Sequence, residues 1–376
     1  MYRRVENINT DILVQCREQI GFDILEVEKK IEKIRLIENG KNKPTFKQLD
    51  TLASLYEVPR WVFIAESLPK EYQFKKSILS FRQFVNNYKG IFNNHKVRSL
   101  VTKTEEFRKL IIQLRVDMGE DITPFNPPKV NKNTTPLKAA KQIRTWLGVN
   151  DSFDFSKWKE LLENKGVFIF LTSKYAGWSH IERDLLRGMT IFHKKLPIII
   201  INDSDAKKAQ SFTLFHELGH LLRKESAIDD WDEHNLDIER WCNEFAGNVL
   251  MPSDLFSRLT KKIDDLDQIK KIADKFKVSP YACLVRLRQL EKISQSIYID
   301  FKNQLVEKFV NLQKKMKASK GGPPRNRAKE VYNQYGHIYT STLFQAYYNQ
   351  EIGLHKLSSL FNLKKLSYVF EMESIL

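Results

Sequence analysis

The chain has 376 residues, 42% of them hydrophobic and 29% charged, the balance of an ordinary globular protein that can bury a sizeable core. Its length exceeds one ordinary core, and about two to four domains are expected. Lysine and arginine number 62 against 46 aspartates and glutamates; the +16 charge favours contact with nucleic acid or another polyanion, and equally fits a solvated lysine-rich surface.

Cys16, Cys242 and Cys283 are odd in number and widely spaced, which excludes a disulfide framework and a zinc ribbon and suits buried, reduced thiols. No apolar run follows Met1-Tyr2-Arg3-Arg4, so no secretory signal is expected, and the cytoplasm is the expected compartment. The longest strongly apolar run, Leu196–Ile201, is far too short to span a bilayer, and no membrane partner is expected.

In chain order, residues 1–68 read as short helices over Ile12–Ile20, Asp23–Ile31, Lys33–Asn39 and Phe46–Tyr56, with Gly40 as a stop, Thr45 as a start and a further short helix after Pro59. Residues 69–135 are a connector. It holds Ile78-Leu79-Ser80-Phe81-Arg82, a long periodic helix over His95–Met118, and a run with Pro124, Pro127, Pro128 and Pro136 that reads as a linker.

Residues 136–262 change character. Helices over Leu137–Leu147 and Phe155–Lys165 precede a strand at Gly166–Thr172 and a hairpin of Gly188–Lys194 and Pro197–Asn202 turning at Lys195-Leu196. Helices Ala206–Arg223 and Asp237–Leu250 flank a loop rich in Asp and Glu. Residues 263–316 have helix-turn-helix form around Lys277-Val278-Ser279, for which plain packing is the commoner account. Residues 317–376 hold a second linker with Gly321-Gly322-Pro323-Pro324, then helices rich in aromatics that suit a core or a partner surface.

The chemistry concentrates in His216-Glu217-Leu218-Gly219-His220. Imidazoles four residues apart share one helix face and can bind one Zn²⁺, while Glu217 leans over the metal and can take a proton from water. Two histidines and a glutamate embedded in Phe212–Leu222 are costly to bury without such a partner. A third ligand must come from a helix packed on the first. Glu239 is the leading candidate; Glu244, which points roughly 140° away on the same helix, and His234, in a polar loop, are its rivals. For holding an oxyanion, Tyr175, His180 and His193 are all eligible. An extended peptide substrate is expected to add to a free edge of the hairpin near Gly188–Asn202.

The runs Phe212–His220 and Glu239–Pro252 (Glu-x-x-Cys-Asn-x-Phe-Ala, then Val-Leu-Met-Pro) resemble the ImmA/IrrE metallo-endopeptidase family over about residues 137–295, with Cys242 where the family usually carries Ala. The resemblance implies that His216, His220 and Glu239 are the zinc ligands and Glu217 the catalytic base. It implies an α+β, predominantly helical fold: a small sheet packed on a zincin-like HExxH helix core, flanked by helical domains.

Residues 1–68 resemble an XRE-type helix-turn-helix through Ile37–Gly40, Pro44–Leu49 and Leu52-Ala53, but about four residues are missing between Ile31 and Glu32, before the recognition helix. Reading of a DNA sequence is thereby in doubt, although Lys33, Arg35, Lys41 and Lys43 are placed to touch phosphates. The expected partner is a protein substrate, a repressor or the partner in a toxin–antitoxin module, with DNA as a further one. The alternative is a non-catalytic DNA-binding regulator or antitoxin with a structural zinc site.

Overall fold

The structure, a computed structural model, describes residues 4–20, 22–56, 58–69, 72, 79–82, 94–172, 181–224, 236–260, 263, 265–318 and 326–376. They are α+β and predominantly helical, with one small four-stranded sheet. They fall into two compact units: one with the described residues up to Tyr72 and through 94–109, the other with Leu79–Arg82 and, Ile181 apart, those from Leu110 onward.

The first unit contains α1 (Thr10–Ile20), α2 (Ile24–Glu28), α3 (Ile34–Glu38), α4 (Phe46–Tyr56), a 3₁₀ turn at Arg60–Ile64 and the first part of α5 (His95–Asp117). Ile12, Leu13, Val27, Ile34, Ile37, Leu49, Leu52 and Phe63 share its core. Thr45 and Gln48 cap α4 reciprocally: Gln48 N–H donates to Thr45 Oγ1 at 3.2 Å and Thr45 N–H to Gln48 Oε1 at 2.9 Å. The half-buried Arg17 guanidinium donates to Glu38 Oε1 at 2.8 Å, tying α1 to α3. Helix α3 spans five residues, and its Arg35 pairs with Glu28 at 3.1 Å.

In the second unit, β2 (Phe168–Leu171), β3 (Gly188–Ile191) and β4 (Ile198–Ile201) are buried at every position. Helices cover both faces of such strands, which is why they read as unbroken apolar runs instead of alternating ones. Ile169, Leu171, Ile199 and Ile201 face the main core, shared with α8 (Lys207–Lys224). Phe168 and Phe170 turn the other way, to Tyr339 at 6.2 and 6.5 Å between ring centroids. The strand order is β1-β3-β4-β2, with β1 at Leu79–Arg82; β2 is parallel to β4, and the other pairs are antiparallel. Both edges of the hairpin are therefore taken, by β1 and by β2, and the free edge expected from sequence is absent among the described residues.

Helix α6 (Pro136–Leu147) starts on a Thr135 cap with Pro136 in its first turn and ends at the left-handed Gly148. It packs on α9 (Leu236–Leu250), whose terminal carbonyls need partners. The buried Arg144 supplies one, donating to Val249 O and to Asp151 O at 2.9 Å each. The proline-rich run before α6 has no regular element yet is packed: Phe125 and Val130 are buried, Phe125 N–H donates to Lys194 O at 2.8 Å, and Trp241 Nε1–H donates to Thr134 O at 2.9 Å.

Past α10 (Ser253–Leu259), α11 (Leu266–Lys275) and α12 (Pro280–Gln289) form the expected helix pair. Leu266, Ile269, Phe276, Cys283 and Leu287 belong to the same core as the sheet and α8. The buried Arg286 donates to Ser253 Oγ at 2.8 Å and to Asn248 on α9, which fixes the pair to the end of that helix.

After α13 (Gln295–Ala318), α14 (Arg327–Tyr348) covers the second sheet face, followed by α15 (Leu354–Leu360) and α16 (Leu366–Glu373). Inside α14 the backbone breaks at Gly336, with φ 80° and ψ 176°. The buried pair Lys159–Glu163, 3.1 Å apart on α7 (Phe155–Glu163), meets this break, and His337 N–H donates to Glu163 Oε2 at 3.2 Å. A Cβ on residue 336 would lie 1.9 Å from Glu163 Oε1 and 2.6 Å from Lys159 Nζ. Substitution Gly336→Ala is expected to destabilise the second unit by at least about 2 kcal/mol, through backbone strain and disruption of a buried ion pair, read from the midpoint of denaturant unfolding.

Candidate metal centre

Helix α8 turns Leu214, Phe215, Leu218, Leu221 and Leu222 into the core, with Trp158 edge-on to Phe215 at 5.0 Å. His216 and Glu217 lie among these residues and are fully buried. Helix α9 buries Cys242, Phe245, Ala246 and Val249 against α8 and α6. Gly219 lets the two helices approach: a Cβ there would meet Cys242 Sγ at 3.0 Å and Phe245 Cδ1 at 3.3 Å.

That approach brings three side chains together. His216, His220 and Glu239 each offer one ligand atom, all within 4.8 Å of one another. The two Nε2 atoms are 3.1 Å apart; Glu239 Oε2 is 3.3 Å from His216 Nε2 and Oε1 is 3.2 Å from His220 Nε2. Ligand atoms about 2.0–2.1 Å from one tetrahedral ion lie about 3.3 Å apart, so the edges of this triangle suit a single Zn²⁺, as does a donor set of two imidazoles and a carboxylate.

The surroundings orient the donors. His216 Nδ1–H donates to Asn243 Oδ1 at 3.1 Å, which leaves the Nε2 lone pair directed at the triangle. Asn243 lies one helical turn after Glu239, so one face of α9 supplies both a donor and the support for a donor on α8. Burial would raise the Glu239 carboxyl, but the two imidazoles hold it well below the usual carboxylate range. Burial opposes charge on His220, yet Cys242, Glu239 and Glu217 together raise its pKa well above the ordinary value.

Glu217 lies between this triangle and the sheet. Thr190 Oγ1 on β3 donates to Glu217 Oε2 at 2.8 Å. Gly188 on the same strand passes so close that a Cβ would sit 2.7 Å from Glu217 Oε1 and 2.5 Å from Thr213 Cγ2. Strand β3 thus sets the position of the carboxylate through one hydroxyl and one missing side chain.

Of the residues singled out from sequence, His216, His220 and Glu239 converge and Glu217 stands beside them. Glu244 is on α9 outside this cluster. His193 lies in the turn after β3 and is likewise not part of it, while Tyr175, His180 and His234 lie outside the described residues. Sequence reasoning gave no role to Asn243, Thr190 or Gly188. The first could have been found from its spacing of four from Glu239; the other two had no local signal, because strand register across the sheet brings them to α8.

A family model, the IrrE N-terminal-like domain (Peptidase_M78), matches residues 170–288, from within β2 through nearly all of α12, and so spans every side chain of the centre. The match supports the ImmA/IrrE family for this segment and points to metallopeptidase-type, metal-dependent chemistry. No curated protein matches the chain. Among solved structures, a Mycobacterium tuberculosis transcriptional regulator is similar at 16% identity and a TM-score of 0.31, over 40% of this chain and 46% of that one. The chain thus spans less than half the length of that structure. No helix among the described residues is long and apolar enough to cross a membrane.

Substitution Asn243→Ala, which removes the acceptor for His216 Nδ1–H, is expected to weaken Zn²⁺ affinity about 10–100-fold in a chelator competition, with the fold intact.

Proposed function

We propose that the chain is a zinc-dependent endopeptidase in which His216, His220 and Glu239 hold one Zn²⁺ and Glu217 is the general base. The observation that carries this reading is the triangle of donor atoms with a buried carboxylate fixed beside it. Bound Zn²⁺ supplies Lewis acidity, polarising a peptide carbonyl and making water a nucleophile near neutral pH.

The chain's own groups do the rest. Asn243 holds the His216 ring in the tautomer that presents Nε2. Thr190 holds Glu217 Oε2, so the carboxylate is oriented before any substrate arrives. Glu217 accepts the proton of the attacking water and passes it to the nitrogen of the leaving amine, which turns a poor leaving group into a neutral one. Full burial keeps bulk water from screening this transfer.

Two features support catalysis over a structural metal site. Structural zinc sites usually close with four protein ligands, and among the described residues this cluster has three. A structural site also has no need of an acid beside the ligands held by a dedicated hydroxyl donor. The substrate class we assign is a partner protein, a repressor or the partner in a toxin–antitoxin module; its support is the likeness to the ImmA/IrrE family. The +16 charge leaves DNA as a further partner.

Substitution Glu217→Gln is expected to keep one Zn²⁺ per chain and to lower cleavage by at least about 100-fold, whereas His216→Ala loses the metal as well. Elemental analysis alongside a protein-cleavage assay checks both, and comparative proteomics of cells expressing wild type or Glu217→Gln identifies the substrate. Equal cleavage by wild type and Glu217→Gln would remove the enzymatic reading. Gly188→Ala, which crowds Glu217, is expected to retain metal and to slow cleavage on the order of 100-fold.

A further inference from the structure

Strand β3 has β4 on one side. On its other side lies β1, antiparallel, with Leu79 opposite Ile191, Ser80 opposite Thr190, Phe81 opposite Met189 and Arg82 opposite Gly188. This is the strand that positions the base: Thr190 donates to Glu217, and Gly188 makes room for it. Strand β1 also approaches α8, the helix that carries His216 and His220. The row of β3 peptide groups beside β1 is therefore an edge, on the strand that holds Glu217, that an extended chain could pair with.

One sheet edge accepts one strand, at a spacing of about 4.8 Å. Extended peptides are commonly captured by adding to such an edge. Here the edge is filled by the chain itself. The four residues of β1 belong with the metal-site unit, while the described residues before them, up to Tyr72, and after them, 94–109, belong with the other unit. None of the four is proline, so each can pair through its backbone. The strand has only four residues, fewer than the usual five or six, so few ladder bonds hold it on the edge.

We propose that β1 is an in-chain competitor for substrate: it holds the edge of β3 that an extended protein segment must take, and cleavage requires it to leave. This rests on the peptidase reading and adds regulation to it. The substrate is then a protein segment that can be drawn out as a strand, and conditions that release β1 activate the enzyme.

The test uses the full chain loaded with Zn²⁺ and the double variant Ser80→Pro, Phe81→Pro; adjacent N–H groups of a strand point to opposite sides, so one of the two prolines removes a ladder donor to β3, and the two single variants serve if the double variant fails to retain metal. Glu217-dependent hydrolysis of casein is expected to rise at least about five-fold over wild type. Added acetyl-Leu-Ser-Phe-Arg-amide is expected to return the variant to the wild-type rate. An unchanged or lower rate with metal retained overturns the proposal, as does Glu217-dependent cleavage within residues 79–82, which would make β1 a substrate. A second measurement needs no turnover. In a Glu217→Gln background, the amides of Gly188–Ile191 that face β1 are expected to exchange with deuterium faster in the proline variant than in the parent, and the capped peptide to restore their protection only in the variant. Equal exchange in both, or no protection by the peptide, overturns the competition. If no form of the protein cleaves casein while the exchange result holds, the peptidase reading fails and the occupancy of the edge stands.

Discussion

The contact on which the centre depends is the close approach of α8 and α9 at Gly219. The third donor comes from a different helix, so the distance between helices is also the distance between donor atoms. With no side chain at 219, Cys242 and Phe245 pack directly on the α8 backbone, and Glu239, one turn before Asn243, reaches both imidazoles. A methyl group at this point would have to move a buried thiol and a buried ring, and either motion opens a triangle whose edges are 3.1 to 3.3 Å. The small Cys242 matters for the same reason: a larger residue there would hold the helices apart.

Electrostatics explains why such a cluster survives burial. With His216 and Glu217 fully buried and His220 and Glu239 partly so, these groups carry a desolvation penalty that hydrophobic packing alone does not offset. The raised His220 and the depressed Glu239 both reflect attraction between imidazole and carboxylate, in which a cation has a role among the donors. A proton on an imidazole can fill that role, and a metal ion fills it with greater charge at the same lone pairs, so metal uptake and proton release are coupled. The apolar wall of Leu214, Phe215, Leu218 and Leu221 sharpens this balance by excluding water from one side.

The elements bearing the donors were legible because their signals are local. Spacing of four in His216–His220, the apolar stripe around it and the Pro252 stop after α9 place two helices within a residue or so of their observed ends. The strands at Phe168–Leu171, Gly188–Ile191 and Ile198–Ile201 were equally visible as short β-branched and aromatic runs. What sequence could not supply was register. Nothing near Thr190 or Gly188 says that β3 lies against Glu217, and nothing in Leu79–Arg82 says that it pairs with β3 across more than a hundred intervening residues. The proline-rich run shows a different gap: prolines report the lack of helix and strand correctly, but not whether the segment is packed, which here depends on Phe125, Val130 and the Trp241 indole.

The sheet explains why so much chain lies outside the matched segment. Strand β3 holds Glu217 through Thr190 and Gly188, and what backs the sheet also backs that contact. The second face is covered by α14, whose Tyr335 and Tyr339 stack at 4.7 Å; Tyr339 leans on Phe168, and both meet Phe361 at the end of α15. That helix is itself pinned where it breaks, at Gly336, by a buried acid on α7 whose backbone partner is the first N–H of the following turn. Burial raises the Glu163 pKa, opposed in part by Lys159 and by that N–H. Helix α7 also carries Trp158, which packs on Phe215 beside His216. The same short helix therefore anchors the backing of the sheet and the core face of the helix with His216 and His220, which makes the region after residue 326 part of the support for the candidate centre and not an appendage to it.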